Sequence, residues 1–141
     1  MSTFSKDLSV LVQLVEILRD VDGEMPMQMA HCLLCVALRP GLTMQDLCEM
    51  TGLSQSSSSR NIQTLGEWHR FGKPGYNLVQ AVDDPVDTRR KIMFLTPKGK
   101  QVLKRLLSTL RGEAVTEIDL PNPKDVIGQR RAARRASATG A

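Results

Sequence analysis

The 141-residue sequence predicts a mainly α-helical fold with a small β-hairpin, an α+β architecture in one compact domain. Three observations predict it. Apolar residues recur at helical spacing near both ends of the chain, a short and a longer helix flank a glycine turn in the middle, and two short strand-like runs follow that pair. With 41% hydrophobic and 24% charged residues, the composition is that of a globular protein with one core.

The first helix is predicted over residues 4–21, where leucines and valines form one broad apolar stripe. Asp22-Gly23 ends it. Pro26 stands where a first-turn proline belongs and opens a second helix that continues to about Leu38. Because this second helix is apolar nearly all round, we expect it to be central.

A helix-turn-helix is predicted next. Thr43 begins a short helix, with Asp46 three residues on in a capping-box pattern. Gly52 marks the turn, and Ser54 is a suitable N-cap for a longer helix over Gln55–Trp68. A short helix, a glycine turn and a longer second helix have the spacing of a helix-turn-helix.

The second helix of this pair has a polar outer face. On a helical wheel Ser58, Ile62 and Leu65 point inward, and small hydroxyls, an amide and a guanidinium point outward. Such a surface can approach base edges and phosphates closely, although a solvated face of an amphipathic helix is the alternative. The candidate DNA-contacting residues here are Gln55, Ser56, Ser57, Ser59, Arg60, Gln63 and Thr64.

Two strands are predicted over residues 78–82 and 91–95, joined by the polar link DDPVDTRR. A hairpin downstream of a helix-turn-helix is the layout of a winged helix, whose charged link can reach the phosphate backbone or the minor groove. Asp87 can orient the Arg89 guanidinium. The alternative is a surface hairpin whose aspartates cancel its cations. The candidate DNA-contacting residues of the wing are Arg89, Arg90 and Lys91.

A last helix is predicted over residues 97–118. Its apolar stripe and that of residues 4–21 exceed what one small domain buries, which favours a homodimer with these two helices as its seam. The predicted domain therefore covers residues 1–118, with the winged helix over 26–96. Residues 119–141 are basic and lack apolar periodicity, so we expect a mobile tail, whose arginines either contact phosphates or only solubilise the chain.

Charge is unevenly distributed. Residues 42–111 carry 11 basic and 6 acidic side chains, a net +5, whereas residues 1–41 carry 3 basic and 5 acidic side chains. Residues 119–141 carry 5 basic and 2 acidic side chains. A basic middle and tail suggest a polyanion as the partner, with a solvated surface as the alternative.

Several classes are disfavoured. No apolar run approaches the ~20 residues of a membrane span and no signal peptide begins the chain, so we expect a cytoplasmic protein without a membrane partner. We expect no enzyme and no cofactor, since the sequence has no glycine-rich phosphate loop, no plausible Ser-His-Asp set and no metal cluster. His31 and His69 are interpreted as interior, interface or surface residues.

The three cysteines have two interpretations. Cys32 and Cys35 form a C-x-x-C inside an apolar helix, with no second pair to complete a zinc site. Together with Cys48, they are best explained as buried small hydrophobes. A redox-sensing thiol is the second interpretation.

The segment GLTMQDLCEMTGLSQSSSSRNIQTL, with DDPVDTRRKIMFLTPKGKQVLKRL after it, resembles the MarR family of bacterial winged-helix regulators over residues 26–111. The second of these two segments is the more specific part of the resemblance. It has a D-x-R-R wing, a strand that ends in L-T and, after x-x-G, a leucine-rich helix. The resemblance implies a homodimer with intertwined terminal helices, a recognition helix over 55–68 in the major groove and a wing pair, Asp87 and Arg89, at the minor groove.

The resemblance further implies repression at promoter operators and release of DNA on binding a small-molecule effector. Methionines at positions 25, 27, 29, 44 and 50 are core residues or line such an effector pocket. The leading hypothesis is thus a sequence-specific double-stranded DNA-binding transcriptional regulator, a homodimeric repressor. The alternative is a winged-helix protein–protein interaction module that has lost specific DNA binding.

Overall fold

The computed structural model describes residues 2–67 and 73–138 of the chain. These residues form a mainly α-helical fold with a small antiparallel sheet, which confirms the predicted α+β winged helix. The elements are α1 (Thr3–Val21), α2 (Met27–Leu38), β1 (Leu42–Thr43), α3 (Met44–Thr51), α4 (Gln55–Leu65), β2 (Val79–Asp83), β3 (Lys91–Leu95), α5 (Pro97–Arg111) and α6 (Pro123–Ala138).

The sheet has the strand order β1-β3-β2, and both pairings are antiparallel. Strands β2 and β3 form the wing, with Val79 opposite Leu95 and Asp83 opposite Lys91. Strand β1 was not predicted, because two residues are too few to show a period-2 pattern. It forms because the chain before it is already held to β3 by a 2.7 Å bond from the Gly41 amide to the Met93 carbonyl.

Helix α2 is central, as its composition predicts. It contacts α3, α4 and β3, and its Cys32 and Val36 side chains are fully buried. Leu47 of α3 and Leu65 of α4 are also fully buried, so both helices of the helix-turn-helix are fixed against the same core. Burying side chains of this size stabilises each by about 1.5–3 kcal/mol relative to exposure.

The end of α4 differs from the prediction. The helix ends at Leu65 rather than near Trp68, which lies outside the described residues together with His69. The carbonyls of Thr64 and Leu65 accept hydrogen bonds from the amides of Tyr76 and Leu78 at 3.0 and 2.8 Å. These bonds draw the chain into an extended pairing with the segment before β2, so the helix cannot continue.

Helix α5 is also shorter than predicted: it ends at Arg111 and not at Ile118. Gly112 adopts a left-handed backbone conformation with φ 72°, and its amide bonds to the Ser108 carbonyl at 3.0 Å. A glycine in this conformation is a common helix stop, since it has no Cβ to clash.

Residues 123–138 form helix α6, which differs from the mobile tail predicted for residues 119–141. Asn122 and Asp125 exchange reciprocal backbone-to-side-chain hydrogen bonds of 3.1 Å, the pattern of a capping box. The alanines and arginines that follow are strong helix formers, and no apolar stripe is needed for them to be helical. Arg130 donates a 3.1 Å bond to the Gly41 carbonyl and docks the helix beside β1.

Helix α1 packs against α5 and has a second apolar face that no described residue covers. Ile17 is buried on the α5 side, whereas Leu11, Val12 and Val15 are each more than half exposed. No helix in the described part of the chain is both long and apolar enough to cross a lipid bilayer.

Candidate nucleic-acid interface

Helix α4 is held rigidly from its N-terminus. The Ser54 hydroxyl accepts a 3.1 Å hydrogen bond from the Ser57 amide, which confirms Ser54 as the N-cap. Ser58, Ile62 and Leu65 are the buried side chains of the helix, as the wheel predicts. Ser58 is fully buried because its hydroxyl has a partner, the Cys48 thiol, 3.4 Å away on α3.

The short helix α3 is fixed by the predicted capping box. The Asp46 amide donates to the Thr43 hydroxyl at 3.2 Å, and the Thr43 amide donates to the Asp46 carboxylate at 3.0 Å. This backbone hydrogen bond from Thr43 lowers the pKa of Asp46 below its usual range. The helix that precedes α4 is therefore pinned at its start, and the turn between the two helices is short.

The outer face of α4 is exposed, and the structure places every predicted contact residue of this helix on or beside it. Arg60 is exposed and donates to the Ser57 hydroxyl at 3.4 Å, and Thr64 donates from its hydroxyl to the Arg60 carbonyl at 3.1 Å. The exposed group consists of Gln55, Ser56, Arg60 and Gln63, and the half-buried group of Ser57, Ser59 and Thr64.

The wing contains three ion pairs. Lys91 pairs with Asp83, Arg90 with Asp84 at 2.7 Å, and Arg89 with Asp87 at 2.9 Å. Each of the three predicted wing cations thus has a carboxylate partner within the wing, as the alternative interpretation of a self-neutralising hairpin expects. No hydrogen bond or ion pair of residues 2–67 and 73–138 joins them to the outward side chains of α4.

The pair at the wing tip has the geometry that the sequence suggests. Arg89 donates from Nε to one Asp87 oxygen at 2.9 Å and from Nη2 to the other at 3.1 Å, a bidentate contact. The hydrogen bonds from the Arg89 side chain and amide lower the pKa of Asp87, and the carboxylate raises the pKa of Arg89. The Arg89 side chain is 89% exposed, so Asp87 orients a guanidinium that projects into solvent.

Asp84 is a residue whose position the sequence did not single out. Its carboxylate is fully buried where the link between β2 and β3 begins, and it accepts hydrogen bonds from the Val86 amide at 2.9 Å and from Arg90. It also forms an ion pair with Arg130 of α6 at 3.2 Å. Burial opposes its ionisation, but the Val86 hydrogen bond and the two guanidinium groups outweigh that effect and lower the pKa of Asp84. The N-P-K-D run before the arginines was the available signal for the helix that supplies Arg130.

A groove of about 800 Å³ lies between α3, the wing and α6. Gln45, Asp46 and Glu49 line its α3 wall. The other walls are formed by Val86, Arg90, Arg130, Ala133, Arg134 and Ser137. The methionines considered for an effector pocket lie elsewhere: four contribute to the core, and Met27 is exposed.

The cysteines lie where small hydrophobes are expected. Cys32 and Cys35 are buried, and Cys48 is half-buried. Burial raises the pKa of Cys32 to about 11 and also raises the pKa of Cys35, so both remain thiols near neutral pH. His31 is exposed on α2, and among the described residues no three histidines, cysteines or carboxylates gather into a metal site.

Comparison of the whole chain with known proteins gives a clear result for the fold. MepR of S. aureus, in a complex with DNA, is 16% identical, with a TM-score of 0.61 and 98% of each chain covered. RV1404 of Mycobacterium tuberculosis is 19% identical, with a TM-score of 0.56 and coverage of 99% of this chain and 95% of that one.

A third similar structure is BpsR of Bordetella bronchiseptica, whose DNA binding is regulated by 6-hydroxynicotinic acid. It is 17% identical, with a TM-score of 0.51 and coverage of 92% of this chain and 93% of that one. No family model matches the sequence, and no curated protein of similar sequence was found. The chain therefore has the winged-helix fold of the MarR-family regulators, as the sequence resemblance implies.

Proposed function

We propose that this protein is a sequence-specific double-stranded DNA-binding transcriptional regulator. The observation that carries the proposal is the construction of α4: one face is locked in the core by Ser58, Ile62 and Leu65, and the opposite face exposes side chains that suit DNA. Its 11 residues span about 16 Å, a length that lies readily in a major groove about 12 Å wide.

Each exposed side chain of α4 has a suitable target on DNA. The Arg60 guanidinium can donate to the O6 and N7 acceptors of guanine, and the Gln55 and Gln63 amides can pair with adenine. Ser56 is short enough to let the backbone approach a phosphate near the positive end of the helix dipole. Specificity in this proposal comes from the base-edge contacts and affinity from the phosphates.

The wing is the second contact. The bidentate bond that Arg89 donates to Asp87 holds the guanidinium in one orientation while leaving the side chain 89% exposed, so less side-chain entropy is lost when it enters a minor groove. A narrow minor groove has a strongly negative potential and attracts such an arginine. Arg90 and Lys91 sit behind it on the same hairpin.

The protein acts as a homodimer in this proposal. Eight large apolar side chains of the three helices α1, α2 and α5 are exposed. They are Phe4, Leu8, Leu11, Val12 and Val15 of α1, Leu34 and Leu38 of α2, and Leu110 of α5. Exposed apolar side chains at this density on one helix are typical of an interface. A two-fold dimer would set two α4 helices about 34 Å apart, one turn of DNA, and cover a promoter as a repressor does.

A small-molecule effector that shifts DNA affinity is part of the proposal, by analogy with the regulation of BpsR by 6-hydroxynicotinic acid. An effector would act only by binding the DNA-free and DNA-bound conformations with different affinity. We place the protein in the cytoplasm, where the DNA is, and assign it no catalytic role.

The test is fluorescence anisotropy with a duplex taken from upstream of its own coding sequence and with a random duplex, across a salt series. We expect the upstream duplex to bind about 10³-fold more tightly and both affinities to fall steeply with salt. Gln63→Ala should reduce the preference and leave random-duplex binding unchanged. Absence of binding even at low salt would contradict the proposal and favour a winged-helix protein-interaction module.

A further inference from the structure

The wing carries no net charge of its own. Its three aspartates, Asp83, Asp84 and Asp87, are matched one to one by Lys91, Arg90 and Arg89. A self-neutralised hairpin gains little long-range attraction to a polyanion, because opposite charges a few ångströms apart cancel beyond a Debye length of about 8 Å. Long-range attraction to a polyanion on this side of the molecule must therefore come from another element, although Arg89 can still be attracted at short range.

Helix α6 lies directly beside the wing. In its first half it contacts the residue before β1 and the link between β2 and β3: Arg130 donates to the Gly41 carbonyl at 3.1 Å and forms an ion pair with buried Asp84 at 3.2 Å. Further along, Arg131 and Arg134 border a pocket shared with Pro85 and Val86 of the wing link. The helix thus lies alongside the start of the link between β2 and β3.

The charge of α6 is strongly positive. Residues 123–138 carry five basic side chains against one acidic, a net +4. Arg130 is used to dock the helix, whereas Arg131 and Arg134 are exposed and have no ion pair in the described part of the chain. Because like charges three and four residues apart destabilise a helix, this arrangement is most favourable with a polyanion nearby.

We propose that α6 is a third DNA-binding element, in which Arg131 and Arg134 bind backbone phosphates that flank the minor groove contacted by the wing. This inference rests on the proposed function and adds a contact to it. Guanidinium groups on an exposed helix can donate bidentate hydrogen bonds to phosphate oxygens without contacting the bases. Arg130 is the positioning residue, since its contact with Asp84 ties the direction of α6 to that of the wing.

The experiment compares three proteins by anisotropy on the upstream and random duplexes across a salt series. The first is the full wild-type chain, and the second is the double variant Arg131→Ala/Arg134→Ala. The third is the charge-matched control Lys104→Ala/Arg111→Ala, in which both changes are on α5. Circular dichroism checks that α6 stays helical in the variants, and alanine is the best helix former.

We expect the α6 variant to lose affinity for both duplexes equally. The slope of log affinity against log salt concentration should become shallower by about 0.9 for each lost phosphate contact, which for two lost contacts is about 2 per protomer. The ratio of upstream to random affinity stays the same, and the control keeps the wild-type slope. An unchanged slope in the α6 variant, or an equal change in the control, overturns the inference. Wild-type protein that binds no duplex at any salt overturns the proposed function itself, and this inference with it.

Discussion

The carboxylate of Asp84 lies 3.2 Å from the Arg130 guanidinium, and so joins the wing to α6 across 46 residues of sequence. Its Oδ2 also accepts from Arg90 at 2.7 Å, within the wing. One fully buried carboxylate therefore serves two guanidinium groups that are each partly exposed. This arrangement makes Asp84 the residue on which the relative position of two surface elements depends.

Asp84→Asn should lower the free energy of unfolding by about 1–3 kcal/mol, since it removes a charge-assisted acceptor from a buried site. Asp83→Asn is the matched control, because the Asp83–Lys91 pair is 60% exposed on each side and is worth at most about 1 kcal/mol. Urea denaturation measures both. Equal losses in the two variants would contradict the role assigned to Asp84.

Tyr76 provides a spectroscopic test of how α1 is held. It is the single tyrosine of the chain, and its hydroxyl donates to Asp22 at the end of α1. Burial and this bond to Asp22 raise the pKa of Tyr76 to about 12. Because the folded-state value exceeds the unfolded value, the contact stabilises fully below pH 10 and is lost as pH rises through 12.

We therefore expect the absorbance titration of Tyr76 to have its midpoint about two pH units above that of a free tyrosine, and Asp22→Asn to move it back toward 10. The midpoint is meaningful only while circular dichroism shows the native signal. A wild-type midpoint near 10 in folded protein would mean that the contact is absent in solution.

Much of this fold is predictable from sequence because its signals are local. Ser54 and the Thr43–Asp46 pair predict where two helices begin, because each capping hydrogen bond joins residues only three positions apart. The wheel of α4 identifies its buried residues because a 3.6-residue period needs no tertiary information. The Asp87–Arg89 contact follows in the same way from two residues at close spacing.

The parts that sequence reasoning missed depend on distant residues. Strand β1 exists through pairing with β3, and α4 stops at Leu65 because the amides of Tyr76 and Leu78 bond to its last carbonyls. Helix α6 has no apolar stripe, and it docks through Arg130 on an aspartate and a carbonyl far away in sequence. A hydrophobicity pattern cannot indicate an element that is held by hydrogen bonds and charge.

The apolar face of α1 predicts the effect of one substitution on assembly. Leu11 is 57% exposed, so Leu11→Asp should leave the protomer folded but disrupt a dimer that buries this face. Light scattering after size-exclusion chromatography should show a dimer for the wild type and a monomer for the variant. Ser9→Asp places the same charge on an exposed polar position of α1 and should remain dimeric. A monomeric wild type would contradict the proposed assembly.

The wing tip predicts a binding defect without a stability defect. Arg89→Ala should weaken DNA binding about tenfold, as expected for losing one contact worth 1–3 kcal/mol, and leave the melting temperature unchanged because the side chain is 89% exposed. Arg105→Ala is the control, since Arg105 forms a comparable exposed ion pair with Asp20 between α5 and α1. If Arg89→Ala and Arg105→Ala bind DNA with equal affinity, the proposed contact of the wing with DNA is contradicted.

A dimethyl sulfate footprint on upstream DNA tests whether α4 lies in the major groove, because the reagent methylates guanine N7 in the major groove and adenine N3 in the minor groove. With α4 in the major groove and Arg89 at the minor groove, the wild type should protect guanines in each half-site and adenines beside them. Arg89→Ala, at saturating concentration, should lose only the adenine protection. Saturated DNA with no guanine protected would contradict the placement of α4 in the major groove and, with it, sequence-specific DNA binding by this protein.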